Sequence, residues 1–315
     1  MDLPQVIGGV LSGDRRAIAR AISMVEDGAE GLRELMGGIF EHTGRARTIG
    51  LTGSPGVGKS SLAAKLVEVA RARDRSVAVL AIDPTSPFTG GALLGDRLRM
   101  QTHATDPRVF IRSMATRGHL GGLALAAPEA VRVLDASGVD LVVIETVGVG
   151  QAEVEVATEA DTTLVVVAPG WGDAVQASKA GILEIADAFV VNKADREGAG
   201  EAARDLEQML HLGPELEWKP PVVQTSTVTG TGMDELWEAI EAHQKHLEST
   251  GELAERRRSR LLREVEGMVA ERLRRRAAGL LEGAGDAVAD DLVARRVDPY
   301  RAADILMERL NEEAR

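Results

Sequence analysis

Residues 53–60 read Gly-Ser-Pro-Gly-Val-Gly-Lys-Ser, and a second serine, Ser61, follows. Gly53, Ser54, Pro55, Gly56, Val57, Gly58, Lys59 and Ser60 satisfy the pattern G-x-x-x-x-G-K-[ST], with an apolar, strand-like run before it and the helix-like L-A-A-K-L-V-E-V-A after it. Glycines without a Cβ let a backbone curl until its N–H groups converge on phosphate oxygens. The start of the following helix adds its positive end. In such a loop Lys59 meets the β- and γ-phosphate oxygens, Ser60 binds Mg2+, and Ser61 is placed for the α-phosphate. The implied ligand is a nucleoside triphosphate.

A second group of residues speaks to the base. Asn192-Lys193-Ala194-Asp195 follows the apolar run A-F-V-V. A carboxylate just past a strand end can accept from guanine N1–H and the 2-amino group. Adenine has neither donor and would leave that acceptor unpaired. Lys193 can lay its aliphatic stem along the base. Thr225-Ser226 closes the next strand, where a loop could offer a backbone N–H to guanine O6.

Carboxylates that could serve a metal also end strands. Glu145, in L-V-V-I-E-T-V-G-V-G-Q, is placed to hold Mg2+ through water, and Gly148 to meet the γ-phosphate with its N–H. Asp83 ends V-A-V-L-A-I-D, and Asp96 lies in the long loop behind it. These two are candidates for metal-bound water, for the attacking water, or for helix caps. No glutamine follows Gly148 directly and no cis arginine finger is evident. Unassisted hydrolysis should therefore be slow. A third loop, Pro169-Gly170-Trp171-Gly172-Asp173, leads into Gln176 and Lys179; it is either a nucleotide-sensing loop or ordinary connecting chain. His103 and His119 are isolated, which fits surface or packing roles better than metal ligation. Trp171, Trp218 and Trp237 read as packing residues.

These residues need strands to carry them. From residue 47 short β-rich runs alternate with helical stretches. The strands expected are Thr48–Thr52, Val77–Ile82, Val109–Arg112, Leu141–Glu145, Thr163–Ala168, Ala188–Asn192 and Val222–Thr225, with helices starting near Lys59, Gly121, Ala152, Asp173, Ala199 and Met233. Several of the runs are apolar without alternation, the mark of a parallel sheet covered on both faces. The expected fold is α/β: a doubly wound, mostly parallel sheet flanked by helices, with helical extensions at both ends. Residues 1–45 form an N-terminal helical segment. One helix there starts at Ser12-Gly13-Asp14 and carries Ile18, Ala21, Ile22 and Val25; a second reaches about Phe40. Residues 46–248 form the nucleotide domain. Residues 249–315 form a charged helical segment with Leu261, Leu262, Val265, Val269 and Leu273 near helical spacing, and a last helix from about Pro299.

Composition narrows the class. The chain has 315 residues, 44% of them hydrophobic and 27% charged, with a net charge of −12 and no cysteine. The acidic balance argues against a nucleic-acid binder or a protein held on anionic lipid. The missing cysteines fit a reducing cytoplasm. Neither a signal peptide nor a membrane-spanning run is evident. The arginines after residue 255 alternate with glutamates, as a solvated helix face or partner surface would.

The set G-S-P-G-V-G-K-S-S, I-D-P-T-S-P, L-G-D-R-L-R-M, T-R-G-H-L-G-G, E-T-V-G-V-G-Q, G-D-A-V-Q-A-S-K-A-G-I and V-V-N-K-A-D resembles the MeaB/MMAA/ArgK group of P-loop GTPases. The resemblance implies Mg2+-dependent GTP binding and hydrolysis that gates cofactor loading of an adenosylcobalamin-dependent acyl-CoA mutase, with an adenosyltransferase as donor. It implies a homodimer joined by helices outside the nucleotide domain. It places Asp83, Asp96 and Glu145 around the metal, Gly148 to Gln151 in the second switch, and Asp173, Gln176 and Lys179 in a third switch that faces the mutase. A GTPase or kinase acting on a transport system and a nickel-inserting GTPase are the alternatives. Nickel insertion would need a Cys/His site. A kinase would use ATP, whereas Asp195 argues for guanine.

Overall fold

The runs L-V-V-I-E-T and T-T-L-V-V-V are apolar at consecutive positions, so both of their faces must be kept from water. The computed structural model describes residues 2–84, 105–116, 122–146, 159–170, 185–213 and 216–312, with 83–84, 115–116, 122–125 and 281–287 described by backbone alone. Its seven strands are β1 (Arg47–Thr52), β2 (Val77–Pro84), β3 (Val109–Thr116), β4 (Leu141–Thr146), β5 (Thr162–Val167), β6 (Ala188–Val191) and β7 (Val222–Gln224). They form one parallel sheet in the order β3-β2-β4-β1-β5-β6-β7. The helices among the described residues are α1 (Leu3–Leu11), α2 (Arg15–Asp27), α3 (Leu32–Ile39), α4 (Lys59–Ala72), α5 (Gly122–Ala136), α6 (Ala199–Leu212), α7 (Met233–Thr250), α8 (Glu252–Val293) and α9 (Pro299–Glu312).

The alternation of side chains along each strand feeds two opposed cores. Leu80, Ile82, Val142 and Ile144 pack with Leu134 of α5 and with Val6, Ile18, Ile22 and Leu35 of the N-terminal helices. Val79, Val143, Ile49 and Leu51 turn the other way, onto Leu62 and Leu66 of α4 and Leu236 and Ile240 of α7. Farther along the sheet, Val165, Val167 and Phe189 pack against Ala203 and Leu206 of α6. This is the doubly wound α/β architecture expected. No helix among the described residues is long and apolar enough to cross a membrane.

The N-terminus departs from expectation in one element. A separate helix, α1, precedes the one that starts after Asp14. Asp2 and Gln5 cap it reciprocally: the Gln5 N–H donates to Asp2 Oδ1 at 3.0 Å and the Asp2 N–H donates to Gln5 Oε1 at 3.3 Å. Gly8 and Gly9 dilute its helical signal. Gly9 has a packing reason, since a Cβ there would stand 2.4 Å from Ala17 Cβ of α2. The next helix begins as expected, with the Asp14 carboxylate accepting the Ala17 N–H at 2.8 Å. α3 ends at Ile39 and a 3-10 turn covers Phe40–His42. β3 runs past Arg112 to Thr116, because β2 pairs with it as far as Pro84 opposite Thr116.

By its internal contacts the chain forms two compact units, Met1–Arg258 and Ser259–Arg315. In the second, Val288, Ala302 and Leu310 are buried, and Arg276 Nη2 donates to the Leu310 carbonyl at 3.2 Å.

In the first unit the N-terminal ends of three strands are gripped by adjacent arginines of α8. Asp161, just before β5, is 1% exposed and accepts from Arg257 Nε at 3.1 Å and Nη2 at 2.6 Å. Arg257 also donates to the carbonyls of Gly44 at 2.6 Å and Ala46 at 2.9 Å, where the chain enters β1. Asp187, just before β6, takes Arg256 Nη1 at 3.0 and 3.1 Å. Burial works against the charge of both arginines, yet the paired aspartates more than offset it and raise their pKa values. Replacing Arg257 leaves a buried carboxylate without its countercharge. Arg257→Met is expected to cost about 3 kcal/mol in urea unfolding; a loss under about 1 kcal/mol would show that Asp161 does not depend on the arginine.

Candidate functional site

The loop after β1 is shaped by contacts that only glycine permits. Gly53 has φ +135° and lies so close to β5 that a Cβ would sit 2.1 Å from the Val166 carbonyl oxygen. Gly58 has φ +100°, and a Cβ there would meet Asn192 Nδ2 at 2.4 Å. α4 then starts at Lys59 with Gly58 as its N-cap, so no side chain of the cap residue bonds the first-turn N–H groups. The Lys59 amine is buried and turned back over the loop, donating to the carbonyls of Gly53 and, at 3.2 Å, Ser54. A hydrogen-bonded lysine folded across its own glycine loop keeps a positive charge beside converging backbone dipoles.

The Ser60 hydroxyl donates to Oε1 of Glu145. Glu145 is the last residue but one of β4 and is 1% exposed, with Leu51 of β1 on one side and Ala81 of β2 on the other. A hydroxyl and a carboxylate, both oxygen donors, therefore meet beside the loop. That donor set suits a hard cation such as Mg2+.

The base-side residues are held to the same loop. Asn192 is fully buried; its Nδ2 donates to the Val57 carbonyl at 2.9 Å and its Oδ1 accepts the Thr225 hydroxyl at 3.3 Å. Lys193 takes the left-handed conformation, φ +60°, and its amine reaches the Gly56 carbonyl at 2.6 Å. The Ser226 hydroxyl donates to Asp195 Oδ1 at 2.6 Å, and this bond more than any other holds the Asp195 carboxyl below the usual carboxylate range. The Thr225 N–H is used by the Val191 carbonyl at 2.9 Å and the Ser226 N–H by that of Thr231 at 3.0 Å. Thr225 and Ser226 thus bring hydroxyls to the base-side group, with their own N–H groups already engaged.

The structure brings together residues 53–60, Glu145, Asn192, Lys193, Asp195, Thr225 and Ser226, with Ser61 in the first turn of α4. Asp83 lies near the end of β2, paired with Ala115, and its side chain is outside the description. Asp96, Gly148, Asp173, Gln176 and Lys179 lie outside the described residues, as do His103, His119 and Trp171. Trp237 packs in the α4–α7 core under Arg73, and Trp218 donates to the Asp187 carbonyl at 2.8 Å. Sequence reasoning missed the grip of Arg256 and Arg257 on Asp187 and Asp161. The run of three arginines at 256–258, in the second turn of a charged helix, was the signal for it.

A family model described as methylmalonyl Co-A mutase-associated GTPase MeaB matches residues 18–281. A protein of Pyrococcus horikoshii described as a GTPase is 48% identical over 312 residues, covering 98% of each chain. A mitochondrial methylmalonic aciduria type A homolog of Caenorhabditis elegans is 34% identical over 280 residues, 82% of this chain and 70% of that one. Among solved structures, that of an LAO/AO transport system kinase superposes with a TM-score of 0.73 at 26% identity, covering 98% of this chain and 97% of the other.

The contact between Gly58 and Asn192 can be broken with one methyl group. Gly58→Ala must displace Asn192 Nδ2 or the loop itself. Calorimetric affinity for a nucleoside triphosphate is expected to fall at least tenfold, about 1.4 kcal/mol. Unchanged affinity would mean that the loop does not need this close approach.

Proposed function

The chain belongs to the MeaB family of GTPases, and from that premise we propose that it is a Mg2+-dependent GTP hydrolase gating adenosylcobalamin loading of an acyl-CoA mutase. The observation that carries the nucleotide part is the joint hold of Asn192 and Lys193 on the loop that bears Lys59 and Ser60. Base-reading and phosphate-binding residues then act as one surface. GTP is the substrate. The Asp195 carboxylate, kept ionised by Ser226, accepts from guanine N1–H and the 2-amino group. The next N–H of its loop, on Thr227, is the donor we assign to guanine O6. Lys59 leaves the loop carbonyls for the β- and γ-phosphate oxygens. Ser60 and Glu145 hold the metal, with Asp83 and Asp96 as the further acidic positions around it and around the attacking water. Mg2+ held by Ser60 and Glu145 would supply positive charge to offset the negative charge of the phosphates. Gly148 meets the γ-phosphate, and hydrolysis is slow until a partner completes the site.

The mutase part has a different support. The matching family is described by its association with methylmalonyl-CoA mutase, and one relative is named for methylmalonic aciduria. Asp173, Gln176 and Lys179 form the switch that reports nucleotide state to the mutase, and an adenosyltransferase supplies the cofactor. Residues 249–315 serve dimer and partner contacts. On α8, Leu261, Leu262, Val265, Val269 and Leu273 are each at least 40% exposed, a row of large apolar side chains on one solvent-facing helix. A homodimer through that row, working in the cytoplasm, completes the reading.

Asp195→Asn turns an acceptor toward guanine's donors into an amide, which pairs better with the 2-oxo group of xanthine. GTP affinity is expected to drop by about 2–3 kcal/mol with a gain for XTP; unaltered guanine selectivity would remove Asp195 from this role. For the client, tagged protein loaded with a non-hydrolysable GTP analogue or with GDP is expected to retain an adenosylcobalamin-dependent mutase in a nucleotide-dependent amount, and light scattering of the same material reads the dimer. Equal or absent capture of a purified mutase in both states would overturn the chaperone reading.

A further inference from the structure

Glu145 lies on β4 and Ser60 in the first turn of α4, which follows β1 through the loop of residues 53–58, so their meeting depends on what holds the tips of β4 and β1 together. The paired register of β1 and β4 ends at Leu51 opposite Glu145. On the other side β4 stays paired one residue longer, with Thr146 opposite Ile82 of β2. At the tip, the link from β4 back to β1 is made by a side chain: the Thr146 hydroxyl donates to the Leu51 carbonyl at 3.2 Å. Thr146 is 3% exposed, so water cannot readily replace that bond. Two residues beyond Leu51 the chain turns at Gly53 into the loop that carries Ser60. Glu145 and Thr146, as neighbours on a strand, point to opposite faces of the sheet. Thr146 therefore works through the backbone that it shares with Glu145.

We propose that Thr146 is a positioning residue for Mg2+, fixing the Glu145 carboxylate against Ser60 by tying the tip of β4 to the carbonyl of Leu51. The proposal rests on the reading of Ser60 and Glu145 as the metal-holding pair. An ordinary buried threonine, satisfying its hydroxyl on the nearest carbonyl, would affect stability alone. With the Thr146 hydroxyl removed, β4 keeps its pairing with β2 to Thr146 and with β1 to Glu145, but its tip loses the side-chain tie to β1 beyond that register. The carboxylate then shares less of its time with Ser60.

The full-length chain is loaded with a fluorescent GDP analogue, and release is followed across a Mg2+ titration and in EDTA. Thr146→Val, near in volume and without the hydroxyl, is expected to raise the Mg2+ concentration for half-maximal slowing of release by about three- to tenfold. Release in EDTA stays unchanged, and Thr146→Ser restores the wild-type midpoint. Should Thr146→Val not fold, Thr146→Ala takes its place. A lowered melting temperature with an unmoved Mg2+ midpoint, alongside a raised midpoint in Glu145→Gln, overturns the role of Thr146 and leaves the metal pair standing. An unmoved midpoint in Glu145→Gln removes the pair itself, and the positioning role with it.

Discussion

Asn192 is the joint on which the site depends. Its amide has no access to water, so both of its ends must find partners inside the protein. One end holds the Val57 carbonyl and the other the Thr225 hydroxyl. Residues 135 positions apart in sequence are thereby fixed at one place. The geometry leaves no room for a Cβ at residue 58, which is a physical reason for glycine there beyond the freedom to reach φ +100°. A phosphate loop free to move would need to be ordered by its ligand, at a cost in affinity. Held by a buried amide, it is shaped in advance.

The opposite end of the sheet supplies the stiffness. Asp161 and Asp187 stand just before β5 and β6, and each also accepts a strand N–H: that of Thr48 at 3.2 Å and that of Thr163 at 2.7 Å. The arginines then bind carboxylates already engaged with backbone. His243 adds to this layer, fully buried, with Nδ1 2.9 Å from the Thr162 hydroxyl and Nε2 3.2 Å from Asp187 Oδ1. The arrangement satisfies charges that burial would otherwise make costly. It also fixes three strands, β1, β5 and β6, whose other ends lead into the loops at 53, 168 and 192. The nucleotide end and the arginine end are two ends of the same strands.

Much of this was legible in the sequence, for identifiable reasons. The strands showed because unbroken apolar runs such as L-V-V-I have few alternatives to a sheet covered on both faces. The loop of residues 53–60 showed because its residue types and spacing form one pattern between a strand and a helix, and Asp195 stands, as expected, just past the end of a strand. What stayed hidden depends on pairing between distant segments. Nothing local marks Asn192 as the partner of Val57, or Arg257 as the partner of Asp161. The helix α1 was hidden for the opposite reason: Gly8 and Gly9 weaken its local signal, and its stability comes from packing on α2 and from the Asp2–Gln5 cap. The role of Ser226 was read as a backbone one. A hydroxyl bonded to Asp195 is invisible without the fold that brings β6 and β7 side by side.

The two ends of the chain spend polarity differently. In the first unit one set of buried polar residues, Lys59, Glu145, Asn192, Thr225 and Ser226, gathers around the loop of residues 53–60 and the strand tips that face it, and another, Asp161, Asp187 and His243, lies at the other end of the strands. The row from Leu261 to Leu273 does the reverse: it spends apolar surface on solvent, which a helix does at a cost unless something covers it. Arg274 and Arg275 nearby are committed to Glu271, whose carboxyl their hydrogen bonds hold down to about 2. The charges beside the row therefore neutralise one another along the helix itself, leaving the apolar side chains as the part of this surface with an unmet physical need. The two segments thus differ in chemistry, polar and buried around the loop of residues 53–60, apolar and exposed along α8.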